Sequence, residues 1–183
     1  MTSLYRAALA ELQGVFDRID DSAVDHAVDM IAQAKTSVVF GGGRERLQIM
    51  GFAMRLHHMG LKIAVEGDMT TPPVGKGDLF IVTCGPGEIS TALALMDVAK
   101  RAGATILFLT AQPQGRGANF ADFVLKIPAQ TMADDRGPSL SVLPMGSLFE
   151  TAQMIFFELV ILKLRPRFNE RSETMRARHT NLE

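Results

Sequence analysis

The stretch Asp78–Lys100, DLFIVTCGPGEISTALALMDVAK, decides the fold of this chain. It opens with a continuous apolar run, Leu79–Thr83, which is typical of a strand buried on both faces of a parallel sheet. After Cys84–Gly87 the apolar residues return every three or four positions, as on the buried face of a helix. A strand, a glycine loop and a helix in this order bring unpaired backbone N–H groups to a helix N-terminus, where an anion can bind. The same order also makes a plain turn in an α/β protein, and this segment alone does not choose between the two.

The pattern of a strand, a glycine loop and a helix occurs a second time earlier in the chain. A strand at Thr36–Phe40 is followed by Gly41–Gly43 and by a helix predicted from Leu47 to Met59. Further strands are predicted at Leu61–Val65, Thr105–Thr110 and Phe123–Ile127. Strands that alternate with helices predict a three-layer αβα sandwich around a five-stranded parallel sheet, flavodoxin-like in type. Ligands of such sheets bind beyond the carboxyl ends of the strands, so we expect the two glycine loops to form one site.

Composition limits the classes of function. The 183 residues suit a single domain, and 47% of them are apolar, which argues against disorder. The net charge of −1 predicts no nucleic-acid partner, and no apolar run approaches the roughly 20 residues of a membrane span. Cys84 is the only cysteine, and the N-terminus lacks the apolar core of a signal peptide, so we expect a cytoplasmic protein. The three glycines Gly41–Gly43 match neither the dinucleotide nor the P-loop motif, so we expect neither NAD nor ATP.

Two helices are predicted before the first strand, and one long apolar helix is predicted after the last strand. Residues 1–35 read as two helices, the first over Thr2–Ile19 and the second introduced by Ser22 and Asp25, which resemble a capping box. Two helices before the first strand are more than a minimal sheet layer needs, and we expect the first to be an arm against a partner subunit. The helix predicted at Ser147–Leu164 is apolar nearly all round, which favours self-association.

Several polar side chains are candidates for a site. Arg44 and Arg46 could clamp an anionic ligand, or they could lie in a solvated loop with Glu45 neutralising one of them. His58 near a helix end is either a ligand contact or a surface residue that complements the helix dipole. Glu150, at the start of an apolar helix, is either a functional acid or a residue that complements the helix N-terminus.

Further motifs are spread over nearly the whole chain. They are Gly43-Arg44 before Phe52–Leu56, His58-Met59-Gly60, Thr70-Thr71-Pro72 with Gly75–Leu79, Gly85-x-Gly87-Glu88, Pro144–Glu150 and Arg178–Glu183. Together they resemble the sugar isomerase (SIS) domain family, and within it most closely the 6-phospho-3-hexuloisomerases.

The resemblance implies a fold, an activity and an assembly. It implies a homo-oligomer, with a tetramer favoured over a dimer, whose sites are shared between subunits and contain no metal and no organic cofactor. The family reaction interconverts a 3-ketose 6-phosphate with fructose 6-phosphate through an enediol. Carried over by motif, Glu150 would be the base. His179, in the tail of residues 165–183, would reach a neighbouring subunit and assist ring opening or proton transfer.

The resemblance also implies a set of substrate-binding residues. They are Gly43, Arg44, Glu45, Arg46, His58, Thr70, Thr71, Cys84, Gly85, Gly87, Glu88, Ser90 and Thr91. Family members bind phosphate through hydroxyl residues in the two glycine loops, and this chain departs from that pattern. The first loop carries Glu45 and Arg46 where serine and glycine are expected, and Glu45 brings a like charge toward the phosphate.

The second glycine loop departs in the same way. Cys84, Pro86 and Ile89 stand where hydroxyl residues are expected, and Pro86 also lacks a backbone donor. Ser90 and Thr91, one or two positions later, could compensate. Three interpretations follow from these departures. In the first, the chain is an isomerase of this type that acts on a different sugar, either unphosphorylated or differently charged. In the second, it is a phosphohexuloisomerase whose arginines replace the hydroxyls. In the third, it is a non-catalytic module that binds a sugar derivative.

Overall fold

Five parallel strands form a single sheet in the computed structural model, which describes residues 3–137 and 141–182. The strands are β1 (Ser37–Gly41), β2 (Ile63–Val65), β3 (Leu79–Thr83), β4 (Thr105–Thr110) and β5 (Phe123–Lys126), in the order β2-β1-β3-β4-β5. In the register of the three central strands, Val39 lies opposite Ile81 and Ile81 opposite Leu107. β1 and β3 are buried along their whole length, which is why both read as continuous apolar runs. The predicted five-stranded parallel sheet is confirmed.

Helices cover both faces of the sheet. They are α1 (Leu4–Phe16), α2 (Asp21–Gln33), α3 (Gly43–His58), α4 (Ser90–Arg101), α5 (Ser147–Arg167) and α6 (Ser172–Arg176), with a short 3₁₀ turn at Arg116–Asn119. On one face α2, α3 and α5 pack on the sheet and α1 packs on α5. On the other face α4 covers a second apolar cluster that contains Phe80, Met96 and Phe108. The predicted three-layer arrangement is therefore present.

The starts of two helices differ from the prediction. α3 begins at Gly43, not at Leu47, because Gly43 has a φ of +54° that lets the chain turn directly from β1 into the helix. Arg44, Glu45 and Arg46 therefore lie in a helical turn and not in a loop. The N-cap of α2 is Asp20, whose carboxylate accepts the N–H of Ser22 at 2.9 Å, so the capping role predicted for Ser22 is wrong.

The strand order places a crevice between β1 and β3. Crossover connections leave β1 toward one face of the sheet, through α3, and leave β3 toward the other, through α4. A sheet of this order opens a ligand crevice at the carboxyl ends of these two strands. The chain segments that line it are the first turn of α3 and the loop 84–89. None of the helices within residues 3–137 and 141–182 has the length and hydropathy to cross a membrane.

Candidate active site at the carboxyl ends of β1 and β3

The two glycine segments meet through the carboxylate of Glu45. Its Oε2 accepts the hydroxyl of Thr83, the last residue of β3, at 2.6 Å. The backbone N–H of Gly85 donates to Oε1 and Oε2 of the same group at 2.9 and 3.1 Å. Glu45 is only 7% exposed. The expectation of a solvated loop in which Glu45 neutralises an arginine is therefore wrong, because its carboxylate is buried and joins β3 to the first turn of α3.

Burial changes the acidity of this group. The pKa of Glu45 is raised to about 6, chiefly because burial penalises the charged form. The hydrogen bonds from Thr83 and Gly85 oppose that rise, and the negative charge of Glu150 adds to it. Glu45 and Glu150 are thus close enough for their charges to interact across the crevice.

Glu150 lies in the first turn of α5 and is held by Arg44. The Arg44 Nε and the Glu150 Oε2 are 2.7 Å apart, and the Glu150 side chain is 15% exposed. Arg44 also donates to the backbone oxygen of Met145, in the loop before α5. The residue before Glu150 packs on the glycine loop, since a Cβ on Gly85 would stand 2.9 Å from the Phe149 ring. The acid predicted as the base therefore lies beside the Gly85 loop, partly exposed and oriented by a guanidinium group.

Arg46, in the first turn of α3, contacts the loop that follows β2. Its Nη2 donates to the backbone oxygen of Glu66 at 2.6 Å, and its Nη1 is 3.4 Å from the Glu66 Oε2. The guanidinium also lies against Gly67. Arg44 and Arg46 therefore each face a carboxylate of the chain itself.

The glycine loop offers a substrate little from its own side chains. Cys84 is fully buried under α4, where desolvation raises the pKa of its thiol to about 12. Its burial gives no support to the predicted role in substrate binding. Gly87 has a φ of +83° and its N–H donates to the Cys84 oxygen at 2.9 Å, which closes a tight turn. The turn presents backbone rather than functional side chains.

The start of α4 is uncapped. Ile89 occupies the N-cap position without a side-chain hydrogen bond, and its Cδ1 lies 3.2 Å from where a Cβ on Gly42 would stand. The two glycine segments therefore touch a second time, through apolar contact. Glu88, Ser90 and Thr91 are exposed at this end of the helix, within one turn of the crevice. That these three residues contact a substrate remains a prediction.

Two of the predicted residues lie at the opposite end of α3. The rings of His58 and His179 stack with centroids 5.1 Å apart, and Arg178 donates to the His58 oxygen at 2.8 Å. From Arg44 to His58 the helix rises about 20 Å at 1.5 Å per residue. Within one chain, His179 is therefore far from the carboxylate of Glu150.

The two threonines of the loop after β2 lie beside that strand. Thr71 donates to the Val65 oxygen at 2.6 Å, and Thr70 lines an open groove of about 790 Å³ along β2. Thr70 is the only predicted binding residue among those that line this groove. We place the candidate site at the crevice because the carboxylates, the glycine turn and the switch of strand direction converge there.

The comparisons with known proteins agree with this architecture. The chain is 34% identical over 175 residues to a 3-hexulose-6-phosphate isomerase of Bacillus subtilis, covering 96% of this chain and 95% of the relative. It is 37% identical over 166 residues to a protein of the same name from Mycobacterium gastri, covering 91% and 83%. The chain belongs to the 3-hexulose-6-phosphate isomerase family. The resemblance to 6-phospho-3-hexuloisomerases is thereby confirmed, as is the expectation of an isomerase.

A solved structure supports the same family. A Methanococcus jannaschii protein, whose structure was interpreted as that of a 3-hexulose-6-phosphate isomerase, superposes with a TM-score of 0.85 at 30% identity, covering 98% of both chains. No family model matches the sequence. The SIS-type fold is therefore shown by sequence and by structure together.

Two contacts that shape the site were not predicted from the sequence. Thr83 was assigned only to the strand. Because side chains alternate along a strand, Thr83 points to the face opposite Cys84, which is the face that α3 covers. Glu66 follows the predicted strand Leu61–Val65, and no local pattern marks its contact with Arg46. Within the described residues no group of three or more His, Cys, Asp or Glu side chains could hold a metal ion.

Proposed function

We propose that this member of the family isomerises a ketose, as the sugar or its phosphate ester, through an enediol with Glu150 as the base. The observation that supports the proposal is the position of Glu150. It is partly exposed at the crevice and 2.7 Å from Arg44, and the neighbouring Phe149 packs on Gly85. A carboxylate fixed in this way can exchange a proton with a substrate held at the glycine turn.

The proposed reaction is balanced within the substrate. Glu150 removes the proton from the carbon next to the carbonyl, and the electron pair of the broken C–H bond forms the enediol double bond. The former carbonyl oxygen gains a proton. The oxygen on the neighbouring carbon then loses its proton and becomes the new carbonyl, and Glu150 returns its proton to the first carbonyl carbon. Arg44 orients the Glu150 carboxylate during both transfers.

The substrate class rests on the relatives. The proteins of Bacillus subtilis and Mycobacterium gastri are named for 3-hexulose 6-phosphate, so a hexulose or its 6-phosphate is the first substrate to test.

We further propose that His179 serves the site of a neighbouring subunit of a homo-oligomer. The reason is the separation within one chain, since His179 stacks on His58 at the far end of α3 from Arg44 and Glu150. A second copy that places its tail over the crevice would bring the imidazole and the carboxylate together. His179 would then assist ring opening or proton transfer.

The experiment is the Glu150→Gln variant, assayed with fructose 6-phosphate and with D-fructose. Loss of the base is expected to lower kcat by about 10² to 10⁴-fold with little change in folding, since the amide keeps the size of the side chain. The matched control is Glu158→Gln, because Glu158 lies on the same helix and pairs with Arg55 of α3 at 2.9 Å. Full activity of Glu150→Gln would remove the assigned base. A wild-type protein that binds ketoses without turnover would favour a non-catalytic binding module.

A further inference from the structure

Glu45 fills a position that is built for an anion. The backbone N–H of Gly85 and the hydroxyl of Thr83 point to one place at the carboxyl end of β3, and the Glu45 carboxylate accepts both. A buried N–H of this kind must have an acceptor. In glycine loops that precede a helix, the acceptor is commonly an anionic ligand. Here the chain provides the anionic acceptor itself.

The neighbouring cations are already matched by carboxylates of the chain. Arg44 faces Glu150 at 2.7 Å, and Arg46 faces Glu66 at 3.4 Å. A phosphate brought to this turn would meet the Glu45 carboxylate and would compete with Glu66 or Glu150 for a guanidinium group. Both effects disfavour a dianion at this point.

The carboxylate can still accept a hydrogen bond from a ligand. A carboxylate has about four acceptor positions, and Thr83 and Gly85 leave part of that capacity unused. A sugar hydroxyl is a neutral donor that forms a short, charge-assisted hydrogen bond with such an oxygen. The same group therefore repels a phosphate and accepts a hydroxyl.

We propose that Glu45 determines substrate specificity by occupying the donors of Gly85 and Thr83 in place of a ligand phosphate, so that this part of the site accepts the hydroxyl-bearing end of an unphosphorylated ketose. The proposal rests on the proposed function in that the ligand is a ketose. It goes beyond the proposed function because it specifies which group of the ketose binds at Gly85.

The test compares ligand binding by thermal shift, since a ligand of the folded state raises the Tm. The probes are D-fructose, D-fructose 6-phosphate and inorganic phosphate. We expect D-fructose to stabilise the wild-type protein more than its phosphate ester does, and inorganic phosphate to have no effect. In Glu45→Ser the donors are released, and the Kd for the phosphate ester is expected to fall at least tenfold, which reverses the preference.

Glu45→Gln is the matched control. The amide has the size of the carboxylate and still accepts the Gly85 N–H, so the phosphate ester is expected to gain less affinity than in Glu45→Ser. The proposal is overturned if the wild type binds the phosphate ester tenfold more tightly than the free sugar, if D-fructose gives no shift, or if Glu45→Ser leaves the preference unchanged. The wild-type measurement decides even if Glu45→Ser does not fold. The thermal shift measures binding and does not depend on turnover. An active Glu150→Gln variant would therefore refute the assigned base without affecting this result.

Discussion

Glu45 is the residue that differs most from what its position in the sequence predicts. A glutamate in a glycine-rich segment is commonly solvated, yet here the first turn of α3 directs its carboxylate inward to Thr83 and Gly85. The group is 7% exposed, and the charged form persists there because two donors partly replace water. Folding therefore shifts the titration of this residue.

The stability of the protein should depend on pH through Glu45. Its pKa is about 6 in the folded state against an ordinary value of 4.5, so folding favours the protonated form. The resulting stabilisation is fully present below pH 4.5 and is lost as the pH rises through 6. The loss amounts to about 2 kcal/mol at 1.36 kcal/mol per pKa unit.

Urea unfolding of the wild type and of Glu45→Gln between pH 4.5 and 7.5 measures this effect. Gln cannot ionise, so the free energy of unfolding of the variant relative to the wild type should increase by about 2 kcal/mol across that range. A relative stability that stays constant with pH would show that Glu45 titrates as it does in the unfolded chain.

At the scale of elements, the site depends on close packing between the loop 84–89 and the start of α5. A Cβ on Gly85 would lie 2.9 Å from the Phe149 ring and 3.1 Å from the Thr131 methyl group. Gly85 therefore allows α5 to approach the sheet closely enough to place Glu150 at the crevice. The glycine is needed here for space as well as for its backbone donor.

Gly85→Ala should lower both stability and activity. Overpacking of this kind costs about 1–3 kcal/mol, and a displaced Phe149 should carry Glu150 away from the substrate and reduce kcat. The measurements are the free energy of unfolding and the kinetics of ketose isomerisation. Gly51→Ala on α3 is the control, since a Cβ there meets nothing within 4 Å and should stabilise the helix by about 0.5–1 kcal/mol. Equal behaviour of the two variants would show that the contact with Phe149 is unimportant.

At the scale of the whole molecule, exposed apolar side chains are consistent with the expected self-association. On α1, Leu4 is 76% and Tyr5 84% exposed, and on α5, Met154 is 60% and Leu162 56% exposed. Exposed apolar groups on two helices are typical of a surface that contacts another subunit. The tetramer, the arm formed by the first helix and the shared site remain predictions.

A mixing experiment tests the shared site. Glu150→Gln and His179→Ala are each expected to be nearly inactive alone. If His179 serves a neighbouring subunit, co-expression should form mixed oligomers in which some sites carry neither substitution, with activity of roughly a quarter of the wild type for random mixing in a dimer. Mixed oligomers as inactive as the two parents would place both residues in the site of one chain.

The sequence by itself determined the αβα architecture, four of whose five strands it placed to within a residue at each end. Buried parallel strands are read directly from continuous apolar runs, and glycine turns mark the ends of β1 and β3. It also singled out Glu150 and both glycine segments, because their motifs are local. Only the tertiary structure decided what Glu45 contacts, which carboxylate faces each arginine, and that His58 and His179 lie together far from Arg44. Such contacts join residues tens of positions apart, and their partners depend on packing between elements that no local pattern encodes.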